Sequence, residues 1–143
     1  MFDAILVTLR EAAVLPGRST LVVFSNGRDT LSMLAPDDVA QVAENAGIPI
    51  YVVSTQMEDL RRQEMLDRVT TITGGREYEA SNLAQQQRAF RSIGDDRANS
   101  YVLTYTPPAH SSGSFHRIEV RLPATPGAEI RARSGYTASP DTE

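Results

Sequence analysis

Apolar and polar positions follow two rhythms along this chain. Up to about residue 98, helical spacing alternates with short continuous apolar runs. Ile5, Leu6, Leu9, Ala12 and Ala13 recur at helical intervals and predict a helix over 2–14, with Asp3 in its first turn and Pro16-Gly17 ending it. Ser19 to Ser25, centred on Leu21-Val22-Val23-Phe24, is a short β-branched run and reads as a strand buried on both faces. Asn26-Gly27-Arg28-Asp29 is a turn, and 36–46 is the next helix, with Gly47 past its end. Ile48–Ser54 is a second apolar strand. An amphipathic helix over 57–70 follows, stopped by Thr73-Gly74-Gly75. Arg76–Ala80 is a short strand, and Ser81 or Asn82 caps a helix running to about Arg97.

Beyond residue 98 the rhythm changes to a period of two. Tyr101–Thr106, Ser114–Leu122 and Ala128–Arg133 read as three strands with no helix between them. Ile118, Val120 and Leu122 alternate with Arg117, Glu119 and Arg121, as a sheet with one wet face requires. Tyr101, Tyr105 and Tyr136 are expected where this extra sheet meets the α/β body. The expected organisation is an α/β body over 1–98, a three-stranded antiparallel extension over 99–137 packed on it, and a disordered tail over 138–143. The helix–strand alternation predicts a parallel sheet with right-handed crossovers.

Composition narrows the chemistry. With 143 residues, 41% of them hydrophobic and 22% charged, the chain can bury a core of its own. A net charge of −4 gives no electrostatic support to nucleic-acid binding. The 14 basic residues are all arginine, which we read as codon bias. With no cysteine, disulfides, thiolate metal sites and thiol nucleophiles are excluded. No apolar run approaches the roughly 20 residues that cross a bilayer. Met1-Phe2-Asp3-Ala4 carries no signal-peptide pattern, so any export signal is expected upstream.

Several segments, in order, resemble a known family. They are Phe2-Asp3-Ala4-Ile5, the run Gly17 to Thr30, Ile48–Val53, Thr71–Tyr78, Ser100–Pro107, Phe115–Val120 and Ile130–Tyr136. Their order and spacing are similar to the von Willebrand factor type A (VWA)-related domain of acidobacterial type. The resemblance implies a Rossmann-like sheet flanked by helices, incomplete on its N-terminal side, in a bacterial protein of periplasmic or secreted setting. It also implies a protein- or ligand-binding, adhesion-type role rather than catalysis.

Metal-binding members of that family place Asp-x-Ser-x-Ser, a threonine and an aspartate on three loops at the carboxyl edge of the sheet. This chain has no Asp-x-Ser-x-Ser, begins after the expected threonine, and has Asn26 where the aspartate stands. The ligand-facing edge is then Ser25, Asn26 and Asp29. The metal site is degenerate, with Asn26 and Asp29 as its weak candidates and Mg²⁺ expected only if upstream residues complete it. A plain strand-to-helix turn explains the same residues.

The family's first strand pairs with the strand that here is Leu21–Phe24. An unpaired edge at Leu21, Val22, Val23 and Phe24 recruits another strand. Three fillers stay open: an upstream segment, a second copy, or the closing strands folded back. The partner expected is therefore protein or self, and a structural or oligomerisation role is the alternative function.

A remoter alternative is a serine hydrolase, from Phe24-Ser25-Asn26-Gly27 with His110 or His116. A nucleophile elbow needs glycine two residues before the serine, and Val23 stands there. The charges from Glu58 to Arg68 pair at i,i+3 and i,i+4 and read as a solvated helix face. Arg117, Arg121, Arg131 and Arg133 can share one face of the last sheet as an anion patch, or stand as a solvated face beside Glu119 and Glu129.

Overall fold

A computed structural model describes residues 1–26, 32–33, 36–55, 60–105, 113–123 and 127–138. The elements run α1 (Phe2–Ala13), β1 (Leu21–Ser25), α2 (Pro36–Ala46), β2 (Ile50–Ser54), α3 (Leu60–Thr73), β3 (Arg76–Glu79), α4 (Leu83–Ala98), β4 (Phe115–Arg117) and β5 (Gly135–Thr137). The fold is α/β. A three-stranded parallel sheet in the order β1-β2-β3 is flanked by helices, and β4-β5 form a small antiparallel sheet.

The apolar spacing seen in sequence decides which faces are buried. Phe2, Ile5 and Leu9 of α1, Val39, Ala40 and Ala43 of α2, and Leu66 and Val69 of α3 close over Ile50 and Val52 on one side of the sheet. Leu21 and Val23 of β1 join that cluster half-buried. On the other side, Ala89 and Ile93 of α4 pack on Tyr51, Val53 and Ala80, with Val22 and Tyr78 at the margin. Among the described residues, three helices thus cover one face and a single helix covers the other.

β2 is buried throughout, because it has a strand on each side and helices on both faces. β1 is not the doubly buried strand that its composition suggests. It lies at the edge of the described sheet, half-buried, with Phe24 exposed. Composition reports what a strand can bury, whereas burial depends on how many neighbours it has.

Local chemistry explains the boundaries. Asn82 caps α4 by accepting from the Gln85 amide at 3.0 Å, and Gln85 returns the bond to the Asn82 amide at 3.3 Å. The buried Thr73 hydroxyl ends α3 by donating to Val69 O at 2.9 Å, and accepts from the first amide of β2, Ile50, at 3.1 Å. Gly74 then turns the chain with φ of 78°. At Gly75 a Cβ would lie 1.9 Å from the Ile50 carbonyl oxygen, so only glycine fits beside β2.

The closing region departs from the expected three strands. Tyr101–Tyr105 is exposed and joins no sheet, and Tyr101 is 90% exposed rather than packed against the body. The strand expected over Ser114–Leu122 is three residues long, Phe115–Arg117. Its partner is Gly135–Thr137, not Ala128–Arg133. Residues 129–134 are instead tied as a strap at the amino end of β3. Glu129 pairs with Arg76, Arg131 with Asp96 of α4, and the Ser134 amide donates to Ile72 O at 2.9 Å. The Ser134 hydroxyl donates to Glu44, and the Thr137 amide to Asn45 Oδ1 at 3.1 Å.

These ties use side chains and peptide groups that a third ladder would have needed. They also split the arginine set, since Arg131 is partly buried in an ion pair while Arg121 pairs on the surface with Glu119. The helix expected from residue 57 is described from Leu60; of the tail expected over 138–143, Ala138 is tied by backbone bonds to Gly113 and Ser114 rather than disordered, and the rest lies outside the described residues.

Leu66→Ala, at a fully buried position, is expected to cost about 2–5 kcal/mol of unfolding free energy in urea titration. Val7→Ala, on the exposed face of α1, is expected to stay within about 0.5 kcal/mol. Gly75→Ala is expected to cost about 1–3 kcal/mol or more, by forcing β2 and β3 apart.

Candidate functional site: the open edge and carboxyl end of β1

A parallel ladder engages alternate residues of each strand. Here the Leu21 amide donates to Pro49 O at 3.0 Å and the Ser25 carbonyl accepts from the Thr55 amide at 3.1 Å. In this register Leu21, Val23 and Ser25 turn their peptide groups toward β2. Val22 and Phe24 turn theirs away, and among the described residues nothing accepts from or donates to them. Two N–H and two C=O groups therefore point outward from an uncharged stretch, which is the arrangement that templates another strand.

The edge has a defined start. Arg97, in the last turn of α4, donates to Arg18 O at 2.9 Å and to Thr20 Oγ1 at 3.0 Å. Arg18 in turn donates to Ser100 Oγ at 2.7 Å. These groups cover the approach to β1, and the open stretch runs from Leu21 onward. Next to it, Phe24 is 53% exposed and stacks on Phe90 of α4, itself 49% exposed, with centroids 6.5 Å apart. The sheet face under α4 thus reaches the open edge as an apolar step. The four interface residues read from sequence, Leu21, Val22, Val23 and Phe24, all lie on this strand, and they divide. Leu21 and Val23 point into the core, whereas Val22 and Phe24 carry the outward peptide groups.

At the carboxyl end, Ser25 and Ser54 stand in register on neighbouring strands, with Asn26 next along the chain. Asp29, the remaining candidate of the ligand-facing edge, lies outside the described residues, as does His110. Among the described residues no group of three or more His, Asp or Glu side chains is placed to hold a metal ion. His116 sits on the β4-β5 ribbon, stacked on Tyr136 with centroids 5.2 Å apart and bonded to Ser114 at 3.0 Å.

Glu77 went unnoticed in sequence because Arg-Glu-Tyr-Glu reads as an ordinary polar strand. Its Oε1 is buried with no hydrogen-bond partner among the described residues. Burial pushes the Glu77 carboxyl up from its ordinary range, against a smaller lowering from its hydrogen bond with Ser54; Asp67 and Glu79 add to the rise. The Arg97–Arg18 clasp was equally invisible, since its partners lie 79 residues apart. The only hint was an arginine in the last turn of a helix, which the helix dipole explains by itself. An open cleft of about 670 Å³ between α2, α3 and β4 is lined by Asp38, Glu44, Arg68 and Arg117 around Ile72 and Phe115.

Compared with protein-family models, curated proteins and solved structures, the chain matches none. Among the described residues no helix is long and apolar enough to cross a membrane.

A raised folded-state pKa means that the folded protein holds the Glu77 proton more tightly than the unfolded chain does. The unfavourable contribution therefore grows as pH rises from the ordinary carboxylate pKa through the folded one. Glu77→Gln is expected to be more stable relative to the parent at pH 7 than at pH 4, read from urea midpoints at the two values. An equal difference at both would show that Glu77 does not titrate in a buried setting.

Proposed function

We propose that this chain is a VWA-like binding module rather than an enzyme, and that it engages protein by strand addition at the open edge of β1. The observation that carries this reading is the row of outward peptide groups at Val22 and Phe24, set beside the exposed Phe24–Phe90 pair. Main-chain bonds in such an addition supply affinity, and the apolar step next to the edge selects what lies against it. The VWA resemblance agrees with the reading, because in that family a further strand occupies the same side of the sheet. The partner in this mode is an extended, uncharged segment.

Val22→Pro isolates the edge. Its amide does not serve the β1–β2 ladder, so the substitution removes an outward donor at a position where an edge strand tolerates proline. Raising the protein concentration is expected to produce association seen by light scattering, with the Val22 and Phe24 amides gaining protection from hydrogen exchange. Val22→Pro is expected to remain monomeric with an unchanged circular dichroism spectrum. Association that leaves both amides unprotected, or a parent chain that stays monomeric throughout, overturns the edge reading.

A second reading places a ligand at the carboxyl end, where Ser25, Ser54 and Asn26 gather at the position that open α/β sheets use for ligands. It is the degenerate adhesion edge expected from the family resemblance. Calorimetric titration with Mg²⁺ or Mn²⁺ tests it: heat abolished by Asn26→Ala favours a metal-dependent edge, and the absence of heat in the parent chain removes that version.

A further inference from the structure

Strand addition at the edge of β1 needs a donor strand. We infer that the donor is Tyr101–Tyr105 of a second copy of this chain, exchanged reciprocally onto β1; this rests on the strand-addition reading above.

The connectivity of the sheet points to that segment. α2 and α3 carry the chain from β1 to β2 to β3, and both lie on one face. α4 lies on the opposite face. A crossover between parallel strands is right-handed in about 98% of cases. With its helix on the opposite face, such a crossover runs back across the sheet. A parallel strand following α4 therefore belongs on the β1 side of β3, where the vacant place is the outer edge of β1.

The path of α4 agrees. It starts just after β3, packs across Tyr51 and Val53 of β2, stacks Phe90 on Phe24, and ends at the foot of β1. There Arg97 and Ser100 are fastened to Arg18 and Thr20. The next residue, Tyr101, is thus delivered beside the start of the open edge.

The segment itself has the character of a strand without a sheet. Tyr-Val-Leu-Thr-Tyr is built from residues that favour strands, apart from Leu103. It matches the five residues of β1 in length. Tyr101 is 90% and Leu103 74% exposed, and neither packs against the body. Among the described residues the peptide groups of 101–105 make no hydrogen bond.

The segment does not fill the edge of its own molecule. Tyr105 instead lies beside Tyr136 of β5, near enough to push that phenol up from its ordinary range. One chain thus carries both an empty strand position and an unpaired strand, held apart. Exchange between two copies makes in trans the contact that the topology prepares in cis. Reciprocity leaves neither β1 edge open, so the assembly closes at two.

The absence of cysteine allows a direct test. Neighbouring strands lie about 4.8 Å apart, within reach of a disulfide. Phe24→Cys and Thr104→Cys, made in separate chains and mixed under mild oxidation, are expected to give a cross-linked heterodimer. Leu103→Pro is expected to weaken dimerisation about tenfold or more while leaving the melting curve of the monomer unchanged, because its site is exposed and outside every element. A dimer lost in Val22→Pro but untouched by Leu103→Pro, with no cross-link, overturns the exchange and leaves the edge reading standing. A double Phe24→Cys/Thr104→Cys chain that closes on itself as a monomer also overturns it. A parent chain that stays monomeric overturns both.

Discussion

A strand in a parallel sheet needs a neighbour on each side to use all of its peptide groups, and among the described residues β1 has one. Its odd-numbered residues bond to β2 and its even-numbered ones face outward. Most of what distinguishes this molecule follows from that arithmetic. The outward groups cannot be withdrawn without breaking the ladder with β2, which is the most buried element of the fold. They also cannot be hidden by the strand's own side chains, which point above and below the sheet.

The helices reinforce the asymmetry. α1, α2 and α3 form a continuous layer over Ile50 and Val52, and that face is closed. Among the described residues α4 alone covers the other face, and its apolar side runs out over β1 as Phe90 on Phe24. A charged fastening at the foot of β1 stops the exposed edge from extending further toward residue 18. The molecule thus offers a short, bounded edge with one apolar flank, rather than a long flat one that would aggregate without selection.

The closing region shows how tertiary contacts overrule a local pattern. Ile118, Val120 and Leu122 alternate with charged residues as a strand should, yet only Phe115–Arg117 pairs. The segment that was to pair with it is held instead by Arg131 to Asp96, Glu129 to Arg76 and Ser134 to Ile72 O. Charged and polar groups on α3, β3 and α4 compete with the ladder for the same stretch of chain. Alternation records which side chains prefer water, and it does not record what the backbone will bond to.

Short-range chemistry sets the local elements of the body. The spacing of Ile5, Leu6 and Leu9, the apolar run Ile48–Ser54, the Thr73-Gly74-Gly75 stop and a cap at Ser81 or Asn82 each act within a few residues, so they can be read from a line of letters; the structure starts the strand at Ile50 and puts the cap on Asn82. The strand at Leu21–Phe24 is legible in the same way, but its composition reads as buried on both faces, and an open edge there was expected only from the family resemblance. That Val22 and Phe24 carry the open groups, that one oxygen of the half-buried Glu77 is shut off from solvent, and that Arg97 reaches Arg18 follows from the folded chain alone. Those facts depend on register and on contacts between distant parts of the chain, and neither is encoded in the order of neighbouring residues.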